Sequence, residues 1–158
     1  MRIDDIISLS VLLVYIIPAI LYVNTHNIRD LFAIIGITGS VAASEGIKYF
    51  VIKERSTRPI GATDCNLWCT DGIQEGRPGM PSGHSLMATF FAGYYFNETD
   101  DILIKIALVI FAVAVMISRY TKRCHSIEQI VAGSLLGLGM SQVVYMIYLN
   151  YSILSAIF

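Results

Sequence analysis

Two histidines carry the chemistry this sequence offers: His84 in "PSGH" (81–84) and His125 at the end of "SRYTKRCH" (118–125). Imidazole is the side chain that attacks or moves a proton near neutral pH. Each of the two stands at the start of an apolar segment, where the first helical turn has unpaired N–H groups that attract anions. Pro81 and Ser82 suit a helix start, with Ser82 as the N-cap, and Gly83 lets an anion approach the backbone. The tetrapeptide alone fits an ordinary capped helix equally well. Its company changes the reading. Arg119 closes the segment before His125, and "KYFVIKERSTRP" (48–59) adds Lys48, Lys53, Arg55 and Arg58. A guanidinium grips two phosphate oxygens at once. Two imidazoles among fixed cations point to phosphoryl transfer, which needs positioned positive charge more than covalent help.

These residues must be positioned by membrane helices. The chain has 158 residues, 55% hydrophobic and 15% charged, with a mean hydropathy of +0.64. That excludes an ordinary soluble domain, whose charged fraction is roughly 25%. A net charge of -1 excludes a nucleic-acid binder, which needs a basic surplus. Period-two alternation is absent, so the expected fold is all-α: a single domain over 1–158, a polytopic transmembrane bundle of about five spans. The spans run Ile6–Val23, with Pro18 expected to bend it, Leu31–Ile52, Ser82–Phe96, Ile102–Ile117 and Ser126–Leu149. The third is short for a crossing, so its ends extend or sit inside the protein. The first has two aspartates before it and no cleavage site after it, as in a retained helix rather than a signal peptide.

Five spans place the N-terminus, the 53–81 loop and the 118–125 loop on one side, with nearly every unusual polar residue. Glu45 and Lys48 lie three apart on one helix and can pair, and charges at such depth face the bundle interior. Lys122 and Arg123 read as interfacial anchors. Small residues recur in the second span (Gly36, Gly39, Ser40) and the fifth (Gly133, Ser134, Gly137, Gly139), where they allow close helix packing.

The order of "PSGH", then Ser118-Arg119, five residues and His125, resembles the type 2 phosphatidic acid phosphatase family of membrane lipid phosphatases. Its pattern is K-x6-R-P, P-S-G-H, then S-R-x5-H-x3-D, and the resemblance covers roughly residues 45–140. "GMPSGHS" (79–85) is also similar to polyprenyl-diphosphate phosphatases in that family. The resemblance implies a metal-independent lipid phosphate or diphosphate phosphatase, with no cofactor, working at the bilayer surface. His125 is the implied nucleophile, forming a phosphohistidine. His84 is the implied acid for the leaving oxygen, and Lys48, Arg55 or Arg58, Ser82, Gly83 and Arg119 bind the phosphate.

Two departures stand out. Lys48-x6-Arg55 keeps the spacing, but Ser56 replaces the proline, and Arg58-Pro59 has the dipeptide three residues later. At the position of the family's aspartate stands Gln129, which can orient an imidazole but supplies no charge. Glu128, three residues from His125, is the alternative orienting group. A catalytically weakened homologue that binds lipid phosphates is therefore the rival expectation.

Cys65 and Cys69 lie in the long loop. They are expected to pair in an oxidising compartment and to remain thiols in the cytosol. Nine of the eleven Lys and Arg residues fall on the motif side, which by the positive-inside rule places the site in the cytosol. "NET" (97–99) and "NYS" (150–152), both on the other side, agree. Trp68 is expected either at headgroup level or packed beneath the loop.

Overall fold

The apolar segments fold into five helices in a computed structural model that describes residues 3–157, with side chains through residue 155. Helix α1, Ile3–Thr25, tightens into a 3-10 turn at Ser10–Leu12. Pro18 lies buried within it, one to two turns beyond that irregularity. After Asn27, whose side chain caps Arg29 N, helix α2 runs Ile28–Gly46. It continues as a π turn, Ile47–Ile52, and a 3-10 turn, Lys53–Arg55. Wide turns of this kind interrupt helices mainly at functional sites, and Lys48 sits in this one. The remaining helices are α3, Gly83–Glu98, α4, Ile102–Thr121, and α5, Ile127–Ile157.

Four of the five are long and apolar enough to cross a membrane. Helix α3 is the exception to the expected five spans, with 16 residues and a length of about 24 Å. Ten of those residues are buried, including Leu86, Phe90 and Tyr94, because the other helices wrap it. Its most extensive partner is α5. The contact is backbone against backbone: a Cβ on Gly133 would lie 2.3 Å from Ser82 O, and one on Gly137 2.3 Å from Leu86 O. Gly139 faces open space and has no such role.

Polar clasps hold both ends. At the far end Arg29 pairs with buried Asp30 and with Glu98, and Tyr95 donates to Asp30 at 2.7 Å. At the motif end Lys122 pairs with Asp5 at 2.6 Å and Thr121 donates to Asp4 at 2.9 Å, tying the start of α1 to the end of α4. Lys122, expected as a free anchor, is thus mostly buried in an ion pair.

The 56–82 loop folds back over the motif end with only two isolated β-bridges, Thr57–Pro78 and Thr63–Ile73. Its cysteine pairing corrects the expectation. Cys65 bonds to Cys124, across 59 residues, and Cys69 remains a thiol. Spacing along the loop gave no hint, because the partner comes from the turn before α5. Trp68 is 62% exposed, which rules out packing beneath the loop.

Candidate active site

Under the loop, the π turn of α2, the first turn of α3 and the turn before α5 enclose a cavity of about 480 Å³. Lys48, Arg58, Gly83, His84 and His125 all line it. Both histidines therefore face one space at one end of the bundle, as their positions at two helix starts predict. His125 also borders a second, open cavity of about 590 Å³ with Arg123 and Glu128.

His125 is the most fully specified group. Its Nδ1 lies 3.2 Å from Gln129 Oε1, and its Nε2 lies 3.4 Å from Arg58 Nη1. The amide of Gln129 has only one sensible orientation, since its nitrogen donates to the Thr57 carbonyl at 2.8 Å and to Ser56 Oγ at 3.0 Å. A carbonyl can only accept, so the oxygen of Gln129 must face the imidazole. The oxygen also accepts from Ser126 N at 3.2 Å. Nδ1 then carries the proton, and Nε2 keeps its lone pair, turned toward a guanidinium that can only donate. Burial, and after it the charges of Arg58 and Arg119, hold this imidazole well below its ordinary value. The hydrogen bond that Nδ1 donates to Gln129 Oε1 works the other way. The resting group is a neutral imidazole with its Nε2 lone pair free of a proton.

Glu128, the alternative orienting group, is exposed on α5 and accepts from Ser126 Oγ at 2.7 Å. Gln129, not Glu128, stands against Nδ1.

The cations divide into distinct situations. Arg58 reaches both Cys124 O, at 3.2 Å, and His125, whereas Arg55 is exposed at the end of the 3-10 turn. The open choice between them thus falls geometrically on Arg58. Burial pulls the Arg58 guanidinium below its ordinary value, partly offset by Asp71, and it stays a cation. Lys48 is buried and ion-paired with Glu45, as the spacing predicts. Arg119 is completely buried, and both ends of its fork bind protein: Nη1 donates to Ser8 Oγ and Nη2 to the Cys65 carbonyl at 2.7 Å. Only its Nε remains without a partner. Ser82 is the N-cap of α3, and its hydroxyl takes the N–H of Ser85, so it serves the helix start and does not line the cavity.

Two buried nitrogens on residues lining this cavity have no hydrogen-bond partner, His84 Nε2 and Arg58 Nε. Arg119, expected to bind phosphate, does not line the cavity, and its unpartnered Nε lies outside the lining. Sequence reasoning missed several participants. Arg77, Asp71, Gln74 and Asn66 line the cavity from the loop, and Tyr15, Val41 and Met87 give it an apolar wall. Arg77 stands four residues before Pro81 and could have been found by proximity to "PSGH". Ser8 offered no signal, being 111 residues from Arg119.

No curated protein and no solved structure gives a significant match to the chain. The profile of the PAP2 superfamily does match, over residues 30–152, a stretch that contains Lys48, Arg58, the "PSGH" turn, Arg119 and His125. A match over most of the chain, with the two motif histidines on one cavity, means that this protein belongs to the PAP2 superfamily.

Proposed function

We propose that this protein is a metal-independent phosphatase of lipid phosphates or diphosphates that works through a phosphohistidine on His125. Family membership supports hydrolysis of a phosphate ester. The observation that carries the finer reading is the pair of orphaned, buried nitrogens on His84 and Arg58, two residues that line one cavity with His125. Buried donors without partners cost on the order of 1–3 kcal/mol each, and an anion that accepts from them removes that cost.

In this reading Nε2 of His125 attacks phosphorus. The N–P bond forms as the bond from phosphorus to the lipid oxygen breaks, and His84 gives its proton to that oxygen. Burial and the nearby cations disfavour the protonated form of His84, and the negative charge of the bound phosphate offsets them. His84, now neutral, takes a proton from water, whose oxygen attacks the phosphohistidine. The N–P bond breaks, inorganic phosphate leaves, and His84 is again protonated. Arg58, Lys48 and the N–H groups near Gly83 match the charge on the phosphoryl oxygens, with Arg119 adding a buried positive charge behind them. Gln129 holds the attacking imidazole in its tautomer. A lipid substrate is favoured by the wall of Tyr15, Val41 and Met87, at a depth where α1, α2 and α3 meet. An apolar chain has a place there while its head meets the cations.

One observation favours a second reading, lipid-phosphate binding with little turnover: Gln129 brings no negative charge to the imidazolium-like transition state. The two separate in one assay. Purified protein in detergent with EDTA receives phosphatidate or polyprenyl diphosphate, and released phosphate is measured. Release that disappears in His125→Ala supports the phosphatase, and saturable lipid binding without release supports the binder.

A further inference from the structure

The Cys65–Cys124 disulfide joins two segments whose own carbonyls hold Arg119 and Arg58, two arginines whose charges act on His125. Cys65 O accepts from Arg119 Nη2 at 2.7 Å, and Cys124 O accepts from Arg58 Nη1 at 3.2 Å. Cys124 directly precedes His125, and both half-cystines are buried. Gln129 holds the two ends of the 56–82 loop through Ser56, Thr57 and Ser82. Around Cys65 the loop's hydrogen bonds to the bundle come from side chains, from Arg119 to Cys65 O and from Lys122 to Cys69 Sγ, beside two isolated bridges and local turns within it. From these contacts we infer that the Cys65–Cys124 disulfide is a positioning element of the phosphate cage, so that turnover requires the oxidised protein.

The physical reason is the placement of two charges. Arg119 is fully buried and has two protein partners, Ser8 and Cys65 O. Once the sulfurs part, the loop carrying Cys65 can leave, and a buried guanidinium loses an acceptor it needs. Arg119 and Arg58 then shift to find others, and His125 moves with Cys124. The redox step is simple: a dithiol gives two electrons and two protons to the cystine, yielding two thiols, and becomes a cyclic disulfide itself. A buried structural cystine also persists only where thiols are not kept reduced. The catalytic face therefore belongs on the oxidising side of its membrane, against the direction of the charge count. Part of that count is structural, since Lys48 and Lys122 are ion-paired, Arg58 lines the cavity and Arg119 is buried on Ser8 and the Cys65 carbonyl.

The inference rests on the phosphatase reading, so its test includes phosphate binding as well as turnover. Full-length protein in detergent is compared oxidised, reduced by a dithiol, and as Cys65→Ser/Cys124→Ser, with Cys69→Ser as control. Mass and thiol labelling verify the redox state, and circular dichroism verifies helix content. We expect kcat to fall roughly 10²-fold in the reduced and double-serine forms, the usual cost of a displacement near 1 Å. Inorganic phosphate affinity should fall in parallel at unchanged helix content, reoxidation should restore both, and Cys69→Ser should match the wild type. Verified reduction that leaves kcat and phosphate affinity within twofold overturns the inference, and so does loss of helix content, which would make the bond a global staple. If the oxidised protein hydrolyses no lipid yet binds phosphate only when oxidised, the cage inference stands and the phosphatase reading fails. In sealed cells, Cys69 labelled by a membrane-impermeant maleimide from outside supports the assigned face, and labelling only after permeabilisation overturns it.

Discussion

The oxygen of Gln129 faces His125 Nδ1 at 3.2 Å, in the place where the family pattern puts a carboxylate. The amide performs half of a carboxylate's work. It sets the tautomer and ring angle, fixed in turn by Thr57 and Ser56, but leaves the charge of a protonated or phosphorylated imidazole unmatched.

Replacing this amide separates the two halves. Gln129→Leu removes the acceptor and frees the tautomer, and kcat/KM should fall by roughly 10²–10⁴, by analogy with loss of the orienting carboxylate in a protease triad. Gln129→Glu restores charge but sets a carboxylate oxygen against the Thr57 carbonyl. The carboxylate favours the imidazolium, so the acid limb of its pH profile should move upward. Steady-state kinetics decide, and a leucine variant with wild-type kcat/KM removes Gln129 from the mechanism.

The pH dependence of the native protein follows from His125. Its folded-state value lies well below the ordinary imidazole value of about 6.5. At neutral pH His125 is unprotonated. Burial, and after it the charges of Arg119, His125 and Arg58, also hold the proposed acid His84 well below its ordinary value, so kcat/KM should rise on acidification past pH ~6.5 before falling. Stability behaves differently. Between the depressed folded value and about 6.5 the unfolded chain binds a proton that the folded one does not, so stability is full above that window and declines as pH falls through it. Melting temperatures in detergent from pH 8 to 5 test this. A melting temperature that rises as pH falls through that window contradicts it.

Arg58 and Arg55 give a sharp pair of substitutions. Arg58→Ala removes a half-buried cation 3.4 Å from His125 and should lower kcat by roughly 10²–10³, as loss of one preorganised donor does. Arg55→Ala changes an exposed side chain and should leave kcat within about twofold. Equal losses in both would mean that the exposed arginine moves into the cavity with substrate.

The helices, their order and the side that carries the chemistry were all legible in the sequence, because hydropathy and spacing are local properties. His84 and His125 announced themselves by standing at helix starts. What the sequence concealed was set by the loop. The loop folds back so that Cys65 meets Cys124, and along that path Arg58 comes to His125 and the Cys65 carbonyl to Arg119, contacts between residues distant in the chain. The short α3 was legible as a segment too short for a crossing, and burial inside the bundle is what releases it from the length a lipid-facing span needs.

The last prediction concerns how the two histidines are kept in register. Ser82, which caps the helix bearing His84, packs against Gly133, two turns along the helix that begins after His125. Ser82 N also donates to Gln129 O at 3.0 Å, so this one contact fixes the start of α3 against the start of α5. A methyl group at position 133 would sit 2.3 Å from Ser82 O, and at position 137 2.3 Å from Leu86 O, a full turn deeper. Both alanine variants should lose about 1–3 kcal/mol of stability through overpacking. Only Gly133→Ala acts at the level of the site, so it should lower kcat well beyond Gly137→Ala at matched residual stability. Gly139→Ala, facing open space, should change neither. Comparing melting temperature with kcat for the three variants tests the point, and an equal kcat in the first two would show that α3 and α5 adjust without moving His84 relative to His125.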